Sequence, residues 1–104
     1  MRPSLSDRGQ RAERRLFEAN TRLEKARAEL AVGEEQLATL EAIADELRVR
    51  SIVSETACAD RDWQQARRHA EALGASLEST RARVRELQAL QESLIEKLVG
   101  EWAP

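Results

Sequence analysis

Leu16, Leu23, Leu30 and Leu37 follow one another at seven-residue intervals, and Ala12, Ala19, Ala26 and Gly33 stand four places before each. Two helical positions that both recur about every 3.5 residues make a continuous seam for a partner helix. Written as a heptad, this row has Leu16, Leu23, Leu30, Leu37 and Ala44 at a, and Ala12, Ala19, Ala26, Gly33, Leu40 and Leu47 at d. Ala and Gly alternate with Leu along most of it, so a facing backbone can come close. A second row begins at Trp63. It places Trp63, Ala70, Leu77, Val84, Gln91 and Leu98 at a, and Ala66, Leu73, Thr80, Leu87 and Leu94 at d.

The two rows are offset by five residues, whereas an interrupted coiled coil slips by about three or four. The chain therefore leaves a straight helix between residues 48 and 58. That stretch is rich in β-branched residues and has neither Gly nor Pro. Ser51 and Ser54 are candidate N-caps for the second helix, and Glu55 suits its first turn. The pattern predicts one domain spanning 1–104, with helix one over 6–50, a turn at 51–55 and helix two over 55–100. Ser4 or Ser6, after Pro3, is placed to cap helix one, and Gly9 weakens its opening turns. Gly100 and Pro104 supply a stop.

Charge patterning says how the halves meet. Residues 1–27 carry a net +4 and residues 86–104 a net −3, while 28–40 carry −3 and 63–85 carry +3. Folding the chain back lays each block against its opposite, whereas a parallel in-register dimer lays +4 on +4. The expected fold is all-α: a long antiparallel two-helix coiled-coil hairpin, able to pair with a second hairpin in a four-helix bundle. An antiparallel dimer of two long continuous helices would make the same contacts between chains; the phase break favours the hairpin. Two registers fit. If facing residues sum to 110, Gly33 meets Leu77, Ala26 meets Val84 and Leu40 meets Ala70; if they sum to 103, Leu40 meets Trp63 and Ala26 meets Leu77. Both oppose large to small at several rungs, as close packing requires.

Composition narrows the class of function. Ala, Glu, Lys, Leu and Arg supply 62 of the 104 residues, the make-up of long helices, while Leu, Ile, Val and Phe total only 22. Such a chain fills a narrow seam and gains from covering more of itself with a partner. A net charge of −2 gives no overall pull towards nucleic acid or anionic lipid. The longest uncharged stretch, Ala72 to Leu77, is six residues, so no membrane span is expected. No secretory signal follows the Arg-rich start. Cys58 stands alone, which fits a reducing compartment, and the expected location is the cytoplasm. Fifteen Arg against two Lys, with 17 Ala, is the bias of a high-GC bacterial source.

Candidate interaction surfaces lie off the seam. Leu90, Leu94, Ile95, Leu98, Val99 and Trp102 make an apolar face wider than one seam needs and form the candidate partner-binding face. The plainer reading of that end is a local core of Phe17 and Trp102 beneath the stems of Arg8, Arg11, Arg14 and Arg15. Ala28, Ala31, Ala38 and Ala42 on helix one, with Ala75, Ala82 and Ala89 on helix two, form a second small-residue stripe suited to self-association. Ala is also the best helix former and needs no partner to be there. Trp63 reads as a bulky knob closing the hairpin.

Glu55, Asp60 and Asp62 make the expected tip acidic. In outline, a coiled-coil hairpin with an acidic tip is similar to the transcript-cleavage factors that enter the secondary channel of RNA polymerase and complete a Mg²⁺ site. The likeness rests on shape and on no motif, and it implies a role for those carboxylates. Arg67, Arg68, Arg81, Arg83 and Arg85 offer an RNA- or ribosome-binding arm, diluted by interleaved Glu and without an aromatic platform. His69 and Cys58 lack the companions that a metal site or thiol nucleophile needs. The expectation is a non-enzymatic coiled-coil adaptor or scaffold, without cofactor, that docks on a protein partner, self-associates as a homodimer, or both.

Overall fold

The computed structural model describes residues 7–102. Two α-helices account for nearly all of them: α1, Asp7–Ser54, and α2, Ala57–Trp102, joined through Glu55 and Thr56. The chain is an all-α helical hairpin, and no strand occurs among the described residues. Ser4, Ser6, Pro3 and Pro104 lie outside the described residues. Gly100 does not stop α2, which runs on to Trp102.

Helix one extends four residues past its expected end. The β-branched stretch Val49–Ile52–Val53 is helical and does not form the turn. Val and Ile lose only about 0.7 kcal/mol or less each against Ala in a helix. The seven-residue row also continues one step beyond Ala44 to the half-buried Ser51. The break comes at Glu55, whose φ of 51° is left-handed. Its N–H donates to the Ser51 carbonyl at 3.1 Å, closing the last turn of α1. Thr56 then caps α2: its hydroxyl accepts from the Ala59 N–H at 3.2 Å, and its carbonyl accepts from the Asp60 N–H at 3.1 Å. Thr56 thus takes the capping role expected of Ser51 or Ser54. Ser54 bonds back to the Arg50 carbonyl at 2.7 Å instead.

Left-handed backbone disfavours any side chain with a Cβ. Glu55→Gly is accordingly expected to stabilise the hairpin by about 0.5–1 kcal/mol, after allowing for the freer unfolded chain. Urea unfolding followed by circular dichroism measures it, and a loss of similar size would count against the left-handed turn.

The chain divides into two compact units. The terminal unit combines residues up to Ala28 with those from Ala82 onward. Its core contains Leu94, at 0% exposure, against Ala12 and Ala19, with Leu16, Leu90 and Leu98 packed around them. A second cluster joins Leu23, Ala26 and Leu87, with Val84 against it. The Gln91 side-chain amide donates to Asn20 Oδ1 at 2.7 Å, one polar rung among apolar ones. Such a rung disfavours slipped alignments, in which each amide would face Leu or Ala.

The turn unit is Glu29–Arg81. Gly33, Ala44, Ala59, Ala70 and Leu77 are buried in it, while Leu37, Leu40, Leu47, Leu73 and Trp63 are half-buried. Gly33 lies directly against Leu77. The Arg67 guanidinium sits 5.7 Å from the centre of the Trp63 ring. Arg81 bridges the helices to Glu34 at 3.4 Å and pairs with Glu78 along α2 at 2.7 Å. Glu34 and Arg81 belong to the opposed −3 and +3 blocks, though an exposed pair adds about 1 kcal/mol at most.

In each unit the facing residues sum to 110 or close to it: Leu23 with Leu87, Ala26 with Val84, and Gly33 with Leu77. The turn explains the choice. A hairpin centred on Glu55 and Thr56 sets that sum, whereas 103 requires a turn centred between Ser51 and Ile52, where α1 is still helical.

Candidate functional site

A two-helix hairpin has one seam, and what it offers to other molecules must lie on the remaining faces. Every a and d position named from the sequence is buried or half-buried. Among the described residues the exposed large apolar side chains are Phe17, Val32, Ile43, Val49, Ile52, Val53, Ile95, Val99 and Trp102. They belong to neither row, so their exposure follows from the heptad itself.

In the terminal unit the six residues of the candidate docking face separate into two sets. Leu94 is fully buried, and Leu90 and Leu98 pack against its cluster, so these three serve the seam. Ile95, Val99 and Trp102 are 44%, 64% and 56% exposed. Spaced four and three residues apart, they fall along one side of α2. The expected local core does not form. Phe17 is 74% exposed and lies among Gln10, Glu13, Arg14 and Glu18 of its own helix. It directly follows the seam residue Leu16, so it points away from α2.

The small-residue stripe is on the surface as a set. Ala28, Ala31, Ala38, Ala42, Ala75 and Ala89 are exposed, and Ala82 is half-buried.

In the turn unit the heptad spacing puts Val49 off the seam, with Val32 and Ile43, but did not announce that Ile52 and Val53 join it as an exposed apolar group, because it assigned their stretch to a break. Its signal was available: β-branched residues at spacings of three and four, off the seam, late in a helix. These side chains sit in the same stretch as exposed Glu55, Asp60 and Asp62, so the tip is mixed in character. Among the described residues no three His, Cys, Asp or Glu side chains come close enough together to hold a metal ion. Cys58 is exposed in the first turn of α2. Trp63, half-buried beneath Arg67, closes the seam near the turn.

Several cations of the proposed nucleic-acid arm are engaged within the chain. Arg67 covers Trp63 and lies 3.7 Å from Glu71, Arg81 bridges Glu34 and Glu78, and Arg68 donates to the Gln64 carbonyl at 3.3 Å. No described helix is long and apolar enough to cross a membrane.

One groove alongside the seam is lined without a charged side chain, although the groove next to it, which shares His69, includes Asp62. Gln36, Thr39 and Leu40 of α1 line the uncharged one with His69, Ala72 and Leu73 of α2, and none of the six carries Asp, Glu, Lys or Arg chemistry. The groove by Phe17 includes Glu13, Arg14 and Glu18, and that beneath Trp63 includes Glu41, Asp45, Arg48, Arg67 and Glu71. Compared with known protein families, curated proteins and solved structures, the chain matches none.

Proposed function

We propose that the chain is a non-enzymatic helical adaptor, a hairpin whose seam holds its own fold and whose outer faces bind other proteins, including a second copy of itself. The observation that carries this reading is the exposed row of Ile95, Val99 and Trp102. A Trp at the end of a row of two aliphatic side chains on one side of a helix is the kind of anchor that fills a partner's pocket. The expected partner presents an apolar helix or groove of its own. The reading assigns no catalytic step: the grooves beside the seam lie open to solvent, and catalysis draws on concave, partly dry sites. A lone exposed thiol supports a reducing, cytoplasmic setting. Arg-mediated RNA binding and a tip-carboxylate role receive less support, since Arg67 and Arg81 are paired with Glu, Arg68 bonds a backbone carbonyl, and among the described residues the carboxylates do not converge.

The test is purification of the tagged protein from its source organism beside an Ile95→Asp/Val99→Asp variant. Both substitutions are on the surface, so helicity should be unchanged. A partner retained near one-to-one with the wild type is expected to fall at least about 30-fold with the variant. Equal retention by both would sink the docking row.

A further inference from the structure

Away from its seam the terminal unit has two unlike sides. On α1 the g row of the heptad is Arg8, Arg15 and Arg22, and the c row beside it is Arg11, Glu18 and Lys25. On α2 the g row is Arg83, Leu90 and Lys97, and the c row is Glu86, Ser93 and Gly100. In an antiparallel pair the g rows of both helices border one side of the seam, as Gln36 and His69 do in the turn unit. That side of the terminal unit therefore carries seven basic side chains against the carboxylates of Glu18 and Glu86. The f rows at its margin add Arg14, Asp7 and Glu96. The opposite side, made by the b and e rows, sets Arg27 and Arg85 against Glu13, Glu24 and Glu92, and holds the exposed Phe17, Ile95, Val99 and Trp102.

Arg83 is engaged within the chain. The other six cations, Arg8, Arg11, Arg15, Arg22, Lys25 and Lys97, are exposed, and among the described residues none of them pairs with a carboxylate. The α2 rows beside them supply Leu90, Ser93 and Gly100, with Glu86 as their one acid. Screening confines each exposed charge to about 10 Å at 0.1 M salt, so one side can be basic in a chain of net charge −2. From Arg8 to Lys25 the cations run for about 25 Å along α1, the length of about seven base pairs of DNA.

The chemistry of this side selects among anionic partners. Five of the six are Arg, whose planar guanidinium meets a phosphate through two parallel hydrogen bonds. A protein partner calls for an apolar anchor at the centre of the contact, and the exposed anchors lie on the opposite side. A bilayer is held most firmly where apolar side chains enter beside the cations, which the same separation prevents. A single strand needs aromatic platforms for its bases, and there is none on these rows. Duplex RNA presents 2′-hydroxyls over its accessible groove, whereas the c and g rows of α1 from Arg8 to Lys25 hold only charged side chains. We propose that this side of the terminal unit binds the phosphate backbone of duplex DNA without reading its sequence. The docking row of Ile95, Val99 and Trp102 is on the other side, so the two surfaces are tested separately.

The experiment is fluorescence anisotropy of a labelled DNA duplex of about 20 base pairs, titrated with the full chain at several salt concentrations. Binding is expected with Kd of about 1–100 μM at low salt, and log K should fall against log salt with a slope of about −4 to −5. Arg15→Gln/Arg22→Gln should weaken binding at least about 10-fold and flatten the slope by about 2, with helicity unchanged. Arg27→Gln/Arg85→Gln removes the same charge from the opposite side and should change affinity less than about 3-fold. No binding at about 100 μM, or an equal loss from both double variants, would overturn the proposal. So would tighter binding to phosphatidylglycerol vesicles, or to duplex RNA of the same length, than to the DNA.

Discussion

Leu94→Ala is expected to lower the unfolding free energy by about 3–5 kcal/mol, towards the upper end for Leu-to-Ala changes in a core. Leu94 is fully buried, and two of its neighbours are Ala12 and Ala19. Those methyl groups cannot swing into the space a shortened side chain leaves. Only Leu16, Leu90 and Leu98 can lean in, and each is already packed against the cluster. Filling the hole by moving the helices closer is blocked by the backbones behind Ala12 and Ala19. A two-helix fold has little other core to absorb such a loss, since domain stabilities run at about 5–15 kcal/mol in total. Urea or guanidinium unfolding at fixed protein concentration measures it; concentration must be held because any self-association adds to apparent stability. Ile95→Ala, one residue along but on the surface, should stay within about 0.5 kcal/mol of wild type. If the two variants unfold alike, Leu94 is not in the seam. Leu94→Asp, in turn, reports on folding and says nothing about docking.

The contrast between Leu94 and Ile95 shows what was legible in the sequence. Heptad spacing places Leu94 at d and Leu98 at a, so their burial follows from position alone, and so does the exposure of Ile95, Val99 and Trp102. The turn was harder to read, because its signals were of the wrong residue types. A left-handed position usually carries Gly or Asn, and here Glu55 holds it. The β-branched run before it resembled a break, yet the Leu23-to-Ser51 row carried the helix through. Register followed the turn: each sum opposes large residues to small ones at some rungs and not at others, and the position of Glu55 and Thr56 separates them. The uncharged groove needed register as well. Ala72 to Leu77 is visible as an uncharged stretch in the sequence, but that it shares a groove with Gln36 and Thr39 depends on which residues of α1 lie beside it.

Gly33→Leu tests that register most directly, and it is expected to destabilise the hairpin by about 1–2 kcal/mol net. A Cβ at position 33 would overlap Leu77 Cδ2, with Cγ at 3.4 Å and Cδ1 at 3.5 Å. Leu77 is only 5% exposed, so its side chain has no open solvent to retreat into. Two terms oppose each other. Replacing Gly within a helix gains about 1 kcal/mol of propensity, while extra methylenes forced into a packed seam cost about 1–3 kcal/mol, occasionally more. With Ala, one added carbon leaves the balance near zero or slightly unfavourable; with Leu, four added carbons make overpacking win. Leu77→Ala alone removes a buried side chain and should cost about 2–4 kcal/mol. The double variant exchanges large for small across the seam and should recover at least about 2 kcal/mol relative to the sum of the single changes. Denaturant unfolding of the four proteins gives that coupling. Simple additivity would mean that Gly33 and Leu77 do not touch. In the register summing to 103, Gly33 would face Ala70, and Leu at position 33 would find room there without any change at Leu77.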